Sequence, residues 1–192
     1  MDTSTARPKD ASRTRERILA AARREFARVG FARTTVRAVA AAAEVSPNLI
    51  TRYFGGKDGL FVAATEVRLD LDRVFDGPRE SLGRRLAEGI VDRWTGMEGE
   101  DPLLVLLRAA GERGEAAEAL ATFLDRESLE PLRQRLRRYG MTEREALARA
   151  RAVDVFVLGV SARLRVLRDD LGDPQELKDW IADTVQRLLD AP

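Results

Sequence analysis

The side chains that most often perform covalent or metal chemistry are missing from this chain: its 192 residues contain no cysteine and no histidine. That removes thiol nucleophiles, disulfides, the usual ligands of zinc and copper, and the commonest general base. Carboxylates remain. Asp169, Asp170 and Asp173 stand close together, but at an expected helix end, where acids break or cap structure, and without calcium-loop spacing. No metal, no cofactor and no enzymatic activity are expected. What the chain does concentrate is positive charge. Residues 1–57 hold 12 Lys and Arg against 5 Asp and Glu, whereas residues 58–192 hold 21 against 27. The formal net charge of +1 therefore hides a basic head on an acidic body. A basic head suits a polyanion. Against this, 30 of the 33 basic residues are arginine, which also fits a bias in genomic base composition.

Within the head, the side chains suited to reading a polyanion are grouped between residues 46 and 57. The elements that must position them are helices. Helical periodicity runs through nearly the whole chain and strand alternation is absent, so the expected class is all-α. Residues 1–11, with Pro8, are expected to be disordered, and Arg7 and Lys9 in them to be solvated. A first helix starts near Ser12, with Ile18, Leu19, Ala22, Phe26 and Val29 on one stripe, and Gly30 ends it. Arg23, Arg24 and Arg28 fall on its solvated face. A second helix takes Thr34 as its N-cap, with Val36, Val39, Ala40 and Ala43 inward. A third takes Ser46 as its N-cap and Pro47 in its first turn, turns Leu49, Ile50 and Phe54 inward, and breaks at Gly55-Gly56. A fourth runs from Lys57 to about Phe75. Helices two and three, short and closely spaced, form a helix-turn-helix. Ala40 and Ala43 let them cross closely and Val45 plugs the gap between them. Ser46 and Asn48 open the second of the pair, where a recognition helix meets base edges.

Residues 14–61 resemble the DNA-binding domain of the TetR/AcrR (tetracycline-repressor) family. The resemblance rests on an ordered set: IL-AA---F---G at Ile18 to Gly30, F--TTV--VA at Phe31 to Ala40, A-VS at Ala43 to Ser46, YF at Tyr53-Phe54 and GGK-GLF at Gly55 to Phe61. It implies a dimeric regulator of transcription that binds double-stranded DNA at a palindromic operator. Such a protein is a repressor released by a small-molecule effector. Thr35 and Arg37 then match phosphate contacts, Tyr53 matches a phosphate-touching aromatic, and Lys57 matches the lysine that anchors the start of helix four. Pro47, Asn48, Thr51 and Arg52 match groove-facing positions. Arg52 suits guanine or phosphate, and Asn48 suits adenine. Two departures stand out. Asn48-Leu49 and Ile50-Thr51 replace the family's usual Gly-Thr and Leu-Tyr, and Arg52 replaces a second aromatic before Tyr53.

The expected organisation is an arm at 1–11, a helix-turn-helix domain at 12–57 and a helical effector-binding and dimerisation domain at 58–192. In the last, the stretch Val153 to Val160 is apolar on nearly all sides, so both of its faces need covering. The final helix carries a wide apolar stripe. Together they predict a four-helix seam across a two-fold axis, through Val157, Val160, Leu164, Leu177, Trp180, Ile181, Thr184 and Leu188. A pocket among helices four to eight is expected to use Phe61, Thr65, Arg68, Trp94, Met97, Phe123, Phe156 and Arg163. Its two arginines favour an anionic group on a hydrophobic or amphipathic ligand. No apolar run spans a bilayer and no apolar leader opens the chain, so a cytoplasmic protein without a membrane partner is expected. The competing reading is an all-helical ligand carrier or enzyme with a vestigial head.

Overall fold

A computed structural model describes residues 6–97, 99–169 and 172–191, with side chains from residue 10 onward. All regular structure among these residues is helical, and the chain divides into two compact units, 1–67 with 99–116 and 68–98 with 117–192.

The first unit begins with α1, Ala6–Arg33, interrupted at Gly30, where φ is 80°. The helix starts ahead of the expected Ser12. Residues 6–12 contain no glycine, and Pro8 lies in the first turn, where the N–H it lacks has no helical partner anyway. Residues 1–5 and the side chains of Arg7 and Lys9, the rest of the expected arm, lie outside the described residues. Then follow α2 at Val36–Ala42, α3 at Pro47–Phe54 and α4 at Lys57–Ala64. A later helix, α7 at Pro102–Ala109, joins them. Its Leu104, Val105, Leu106 and Ala109 are buried, as are Ile18, Leu19, Phe26 and Ala27 of α1, against which α7 packs. The boundary expected at 57/58 is thus displaced. The first unit keeps α4 and recruits α7, because the apolar face of α1 needs α7 to cover it.

Helix α4 is also shorter than its apolar stripe predicted. It stops at Ala64 rather than Phe75. The Ala64 carbonyl accepts a hydrogen bond from Arg23 Nε at 2.9 Å, and the buried Thr65 hydroxyl donates back to the Phe61 carbonyl at 2.8 Å. The same hydroxyl lies 3.2 Å from the Val62 carbonyl, so side chains hold the Ala64 and Val62 carbonyls, which in a continuing helix would accept backbone N–H groups.

The second unit comprises α5 at Asp72–Phe75, α6 at Leu82–Gly96, α8 at Gly114–Phe123, α9 at Glu130–Arg138, α10 at Glu143–Ser161 and α11 at Pro174–Asp190; the first residues of α8 belong to the other unit. Its core gathers Leu82, Leu86, Val91, Leu136, Val153, Ile181, Val185 and Leu189, each fully or nearly buried. Burying one such side chain contributes roughly 1.5–3 kcal/mol. A full capping box between Thr142 and Glu145 opens α10, and Asp173 caps α11 through the N–H groups of Gln175 and Glu176. Asp169 instead pairs with Arg163. No cluster of three or more carboxylates suited to a metal occurs among the described residues. No helix of the described residues is long and apolar enough to cross a membrane.

Candidate nucleic-acid interface

Each side chain of α3 is sorted by the pitch of the helix. Ile50 is fully buried and Leu49 and Phe54 are half-buried, holding the helix to its unit. Ser46, Pro47, Asn48, Thr51, Arg52 and Tyr53 are exposed. Asn48, Thr51 and Arg52 follow at steps of three and four, so they share one face. The Arg52 guanidinium makes no ion pair or hydrogen bond among the described residues, and neither does Arg37 on α2. By contrast, cations on other faces are already engaged: Arg24 pairs with Glu100 and Arg28 with Glu25 at 2.8 Å. Arg37 on α2, Arg52 on α3 and the exposed Arg13 and Arg17 of α1 thus carry positive charge with no acidic partner among the described residues.

The termini of these short helices also fit a phosphate backbone. Thr35 caps α2, its hydroxyl oxygen accepting from Ala38 N–H at 3.1 Å, which leaves the hydroxyl proton free to donate. Ser46 precedes α3 with its hydroxyl making no cap bond. Tyr53 is 37% exposed, its ring tilted against Phe54. Arg15 of α1 lies over the other aromatic, 5.5 Å from the centre of the Phe54 ring.

The turn between α2 and α3 ends α2 by a Schellman motif. Glu44 takes φ 52°, its N–H bonds to Ala41 carbonyl at 3.1 Å, and Val45 N–H bonds to Ala40 carbonyl at 2.9 Å. Two successive residues of positive φ, Gly55 and Gly56, then turn the chain from α3 into α4. Gly59 sits so close beneath that turn that a Cβ there would lie 1.8 Å from the Phe54 carbonyl oxygen.

Lys57 is committed within the unit. Its Nζ donates to the Ala32 carbonyl at 3.0 Å and stands 4.4 Å from the centre of the Phe31 ring. Phe31 in turn stacks on Phe26 and meets Phe61 edge-on at 5.1 Å. The ammonium keeps two further N–H bonds, so it both anchors α4 and can still donate to a phosphate.

The residues expected to form a pocket and a seam fare differently. Phe61 and Thr65 are buried in the first unit, while Arg68, Trp94, Met97, Phe123, Phe156 and Arg163 lie in the second. None of the eight lines the hollow of about 450 Å³ in the second unit, which is walled by Leu69, Leu71, Phe75, Glu127, Arg135 and Arg138 among others. Phe123 is 8% exposed and belongs to the core, and Arg163 is neutralised by Asp169. Of the expected seam, Val160 and Ile181 are buried within the single chain, which leaves them no surface for a partner. Val157, Leu164, Leu177, Thr184 and Leu188 are half-buried, and Trp180 is 46% exposed, its ring edge-on to Phe156 at 5.3 Å. Val155 and Leu167, respectively 69% and 70% exposed, were not among the seam residues read from the sequence, because in a run of apolar residues periodicity does not single out the outermost.

The same helical arrangement recurs in known proteins. The family model "Bacterial regulatory proteins, tetR family" matches residues 18–64, and "Tetracyclin repressor-like, C-terminal domain" matches residues 80–189. No curated protein matches the sequence. Among solved structures, NalD of Pseudomonas aeruginosa, described as the secondary repressor of the MexAB-OprM multidrug efflux pump, is 26% identical with a TM-score of 0.69, over 93% of this chain and 97% of its own. The fatty acid degradation regulator FadR from Bacillus halodurans shares the fold at 17% identity and a TM-score of 0.71, over 93% and 95% of the two chains. A TetR-like transcriptional regulator from Rhodococcus sp. RHA1 does so at 22% identity and a TM-score of 0.68, over 92% and 93%. From its two matched domains and its helical architecture, this chain belongs to the TetR family of bacterial regulatory proteins, which regulate transcription by binding DNA.

Proposed function

We propose that the protein is a dimeric repressor that binds a palindromic operator and is released from it by a small molecule. The observation that carries the DNA-reading part is the exposed, unpartnered face of Asn48, Thr51 and Arg52 on α3, flanked by the cap hydroxyls of Thr35 and Ser46, by Arg37 and by Tyr53. Side-chain amides and guanidinium groups of this kind read adenine and guanine edges in a major groove, while hydroxyls, Tyr53 and Lys57 hold phosphates and set the register. One such helix reads one half-site. Two copies related by a two-fold axis, with their recognition helices about 34–36 Å apart, read a palindrome.

The exposed Val155 and Trp180 on α10 and α11 support pairing of two copies through those helices. Repression is supported by the likeness to NalD, described as a repressor. The hollow in the second unit supports an amphipathic effector. Its floor is Leu69, Leu71 and Phe75, and in its wall the buried Arg135 Nε lacks a hydrogen-bond partner, which an acceptor oxygen on a ligand would supply. Such a regulator works in the cytoplasm, alongside the DNA it controls.

The test is a binding titration against the DNA upstream of the protein's own gene, repeated over a salt series. Binding to a palindrome with a steep fall in affinity as salt rises is the expected result. No preference for any palindrome over random duplex at physiological salt would remove this reading.

A further inference from the structure

The turn between α7 and α8 lies within the stretch matched by the C-terminal family model, yet it packs in the first unit. Arg113 in that turn is 21% exposed at its side chain. Its guanidinium lies over Phe31, 3.8 Å from the ring centre. Both terminal nitrogens donate to Asp58 Oδ1 at 3.1 Å, and Nη2 also donates to Glu115 Oε2 at 2.6 Å. Asp58 is in the first turn of α4, next to Lys57. Phe31 follows the interruption of α1, next to the Ala32 carbonyl that holds Lys57. One guanidinium thus ties the start of α4 to the end of α1 from outside the helix-turn-helix.

We infer that Arg113 is a positioning residue for DNA binding. It fixes the start of α4, and through Gly55-Gly56 the end of α3, at the setting in which Lys57 and Tyr53 meet phosphates. It does so without touching DNA, because its charged face rests on Phe31 and its terminal nitrogens are engaged by carboxylates. The inference depends on α3 being the DNA-reading helix.

Long-range electrostatics and this clasp predict opposite signs for one substitution. Asp58→Asn removes a negative charge, which by itself strengthens binding to a polyanion. If the clasp positions α4, Asp58→Asn instead weakens binding severalfold, although the Asp58 side chain is 79% exposed. Arg113→Met is expected to weaken binding about tenfold while leaving the slope of log K against log salt as in the parent, since Arg113 neutralises no phosphate. Removing a cation that does neutralise one would reduce that slope by about 0.9. In the Arg113→Met background, Asp58→Asn has no clasp to break and restores some affinity.

The experiment measures operator binding of the full chain, the two single variants and the double variant over a salt series, with circular dichroism confirming the fold. Stronger binding by Asp58→Asn in the parent background, unchanged affinity of Arg113→Met, or a slope reduced by about one in Arg113→Met would each overturn the inference. Should Arg113→Met fail to fold, the sign of the Asp58→Asn effect still decides. Failure of the parent protein to bind any operator would overturn the DNA-reading assignment instead, so the two failures are distinguishable.

Discussion

Val45 donates its backbone N–H to the Ala40 carbonyl at 2.9 Å, and that bond closes the turn of the helix-turn-helix around Glu44. Glu44 occupies the left-handed position of this motif, at φ 52°, where glycine is the usual residue. A residue with a Cβ pays about 1–2 kcal/mol for that conformation. Part of this is offset in the unfolded chain, where glycine is freer.

Glu44→Gly is therefore expected to stabilise the protein by about 0.5–1 kcal/mol. Urea unfolding followed by circular dichroism measures it. The substitution also removes an exposed negative charge beside the recognition helix, so DNA affinity is expected to hold or rise. A loss of stability would show that the Glu44 side chain makes a contribution its geometry does not reveal.

Gly59 illustrates the opposite demand, for space rather than for a dihedral. A Cβ at this position would lie 1.8 Å from the Phe54 carbonyl oxygen, and a backbone oxygen cannot swing away as a side chain does. Gly59→Ala is expected to push α4 off the end of α3 and to cost about 1–3 kcal/mol, the range typical of overpacking. DNA affinity is expected to fall with it. Normal stability together with normal affinity would mean that the two helices are free to separate.

Much of the first unit was legible in the sequence because its rules are local. Pro47 opens α3, Gly55-Gly56 breaks it, and Asn48, Thr51 and Arg52 come out on the exposed side of the helix as their spacing requires, whereas the cap of α2 falls on Thr35 rather than the expected Thr34, which is buried with its hydroxyl donating to the Gly30 carbonyl at 2.8 Å. What was not legible depends on interactions between residues distant in the chain. Arg23 ends α4 across 41 positions, and Arg113 reaches Asp58 across 55. The covering of α1 by α7, which moved the domain boundary, is of the same kind. In the second unit, apolar composition marked α10 and α11 as helices that supply the core, and Val153, Ile181 and Val185 do so. It did not separate Val160, turned into the core, from Val155, turned to solvent, because both are valines in an unbroken apolar run.

On α3, substitutions are expected to divide into two classes. Asn48→Ala and Arg52→Ala remove exposed side chains with no partner among the described residues, so stability stays within about 0.5 kcal/mol. Removing a bidentate reader of one base relaxes discrimination at that position by about 1–3 kcal/mol. Lys57→Ala weakens all sequences alike. It also lowers stability, because the ammonium that holds the Ala32 carbonyl and faces Phe31 is gone. Competition binding against a library of operator variants separates the classes. Equal weakening on all sequences for Arg52→Ala would move Arg52 to the phosphate class.

Val155 is the cleaner probe of pairing, since Trp180 also packs on Phe156. With Val155 69% exposed in the single chain, Val155→Glu costs the isolated fold little but buries a charge if two copies meet there. Sedimentation velocity is expected to give a monomer for the variant and a dimer for the parent, with operator affinity falling at least tenfold as the two half-sites lose their linkage. A variant that stays dimeric would move the seam elsewhere.

Asp154 provides a test of the interior of the second unit by pH. Burial holds its carboxyl above the ordinary carboxylate range, nearby Asp125 adds to the rise, and the Ser128 hydroxyl, donating to Asp154 Oδ1 at 2.7 Å, opposes it. A group whose folded-state value is raised contributes its full stability only below its unfolded value, and that contribution is lost as pH rises through the folded value. At neutral pH the ionised Asp154 therefore weakens the fold. Asp154→Asn keeps an acceptor for Ser128 and removes the charge, so the variant is expected to unfold at higher urea than the parent at pH 7. The two are expected to converge as pH falls below the carboxylate range, where Asp154 is neutral in both folded and unfolded chains. Urea titrations at pH 7 and near pH 3 make the comparison. A gap that persists undiminished in acid would assign the effect to packing of the amide rather than to the cost of a half-buried charge.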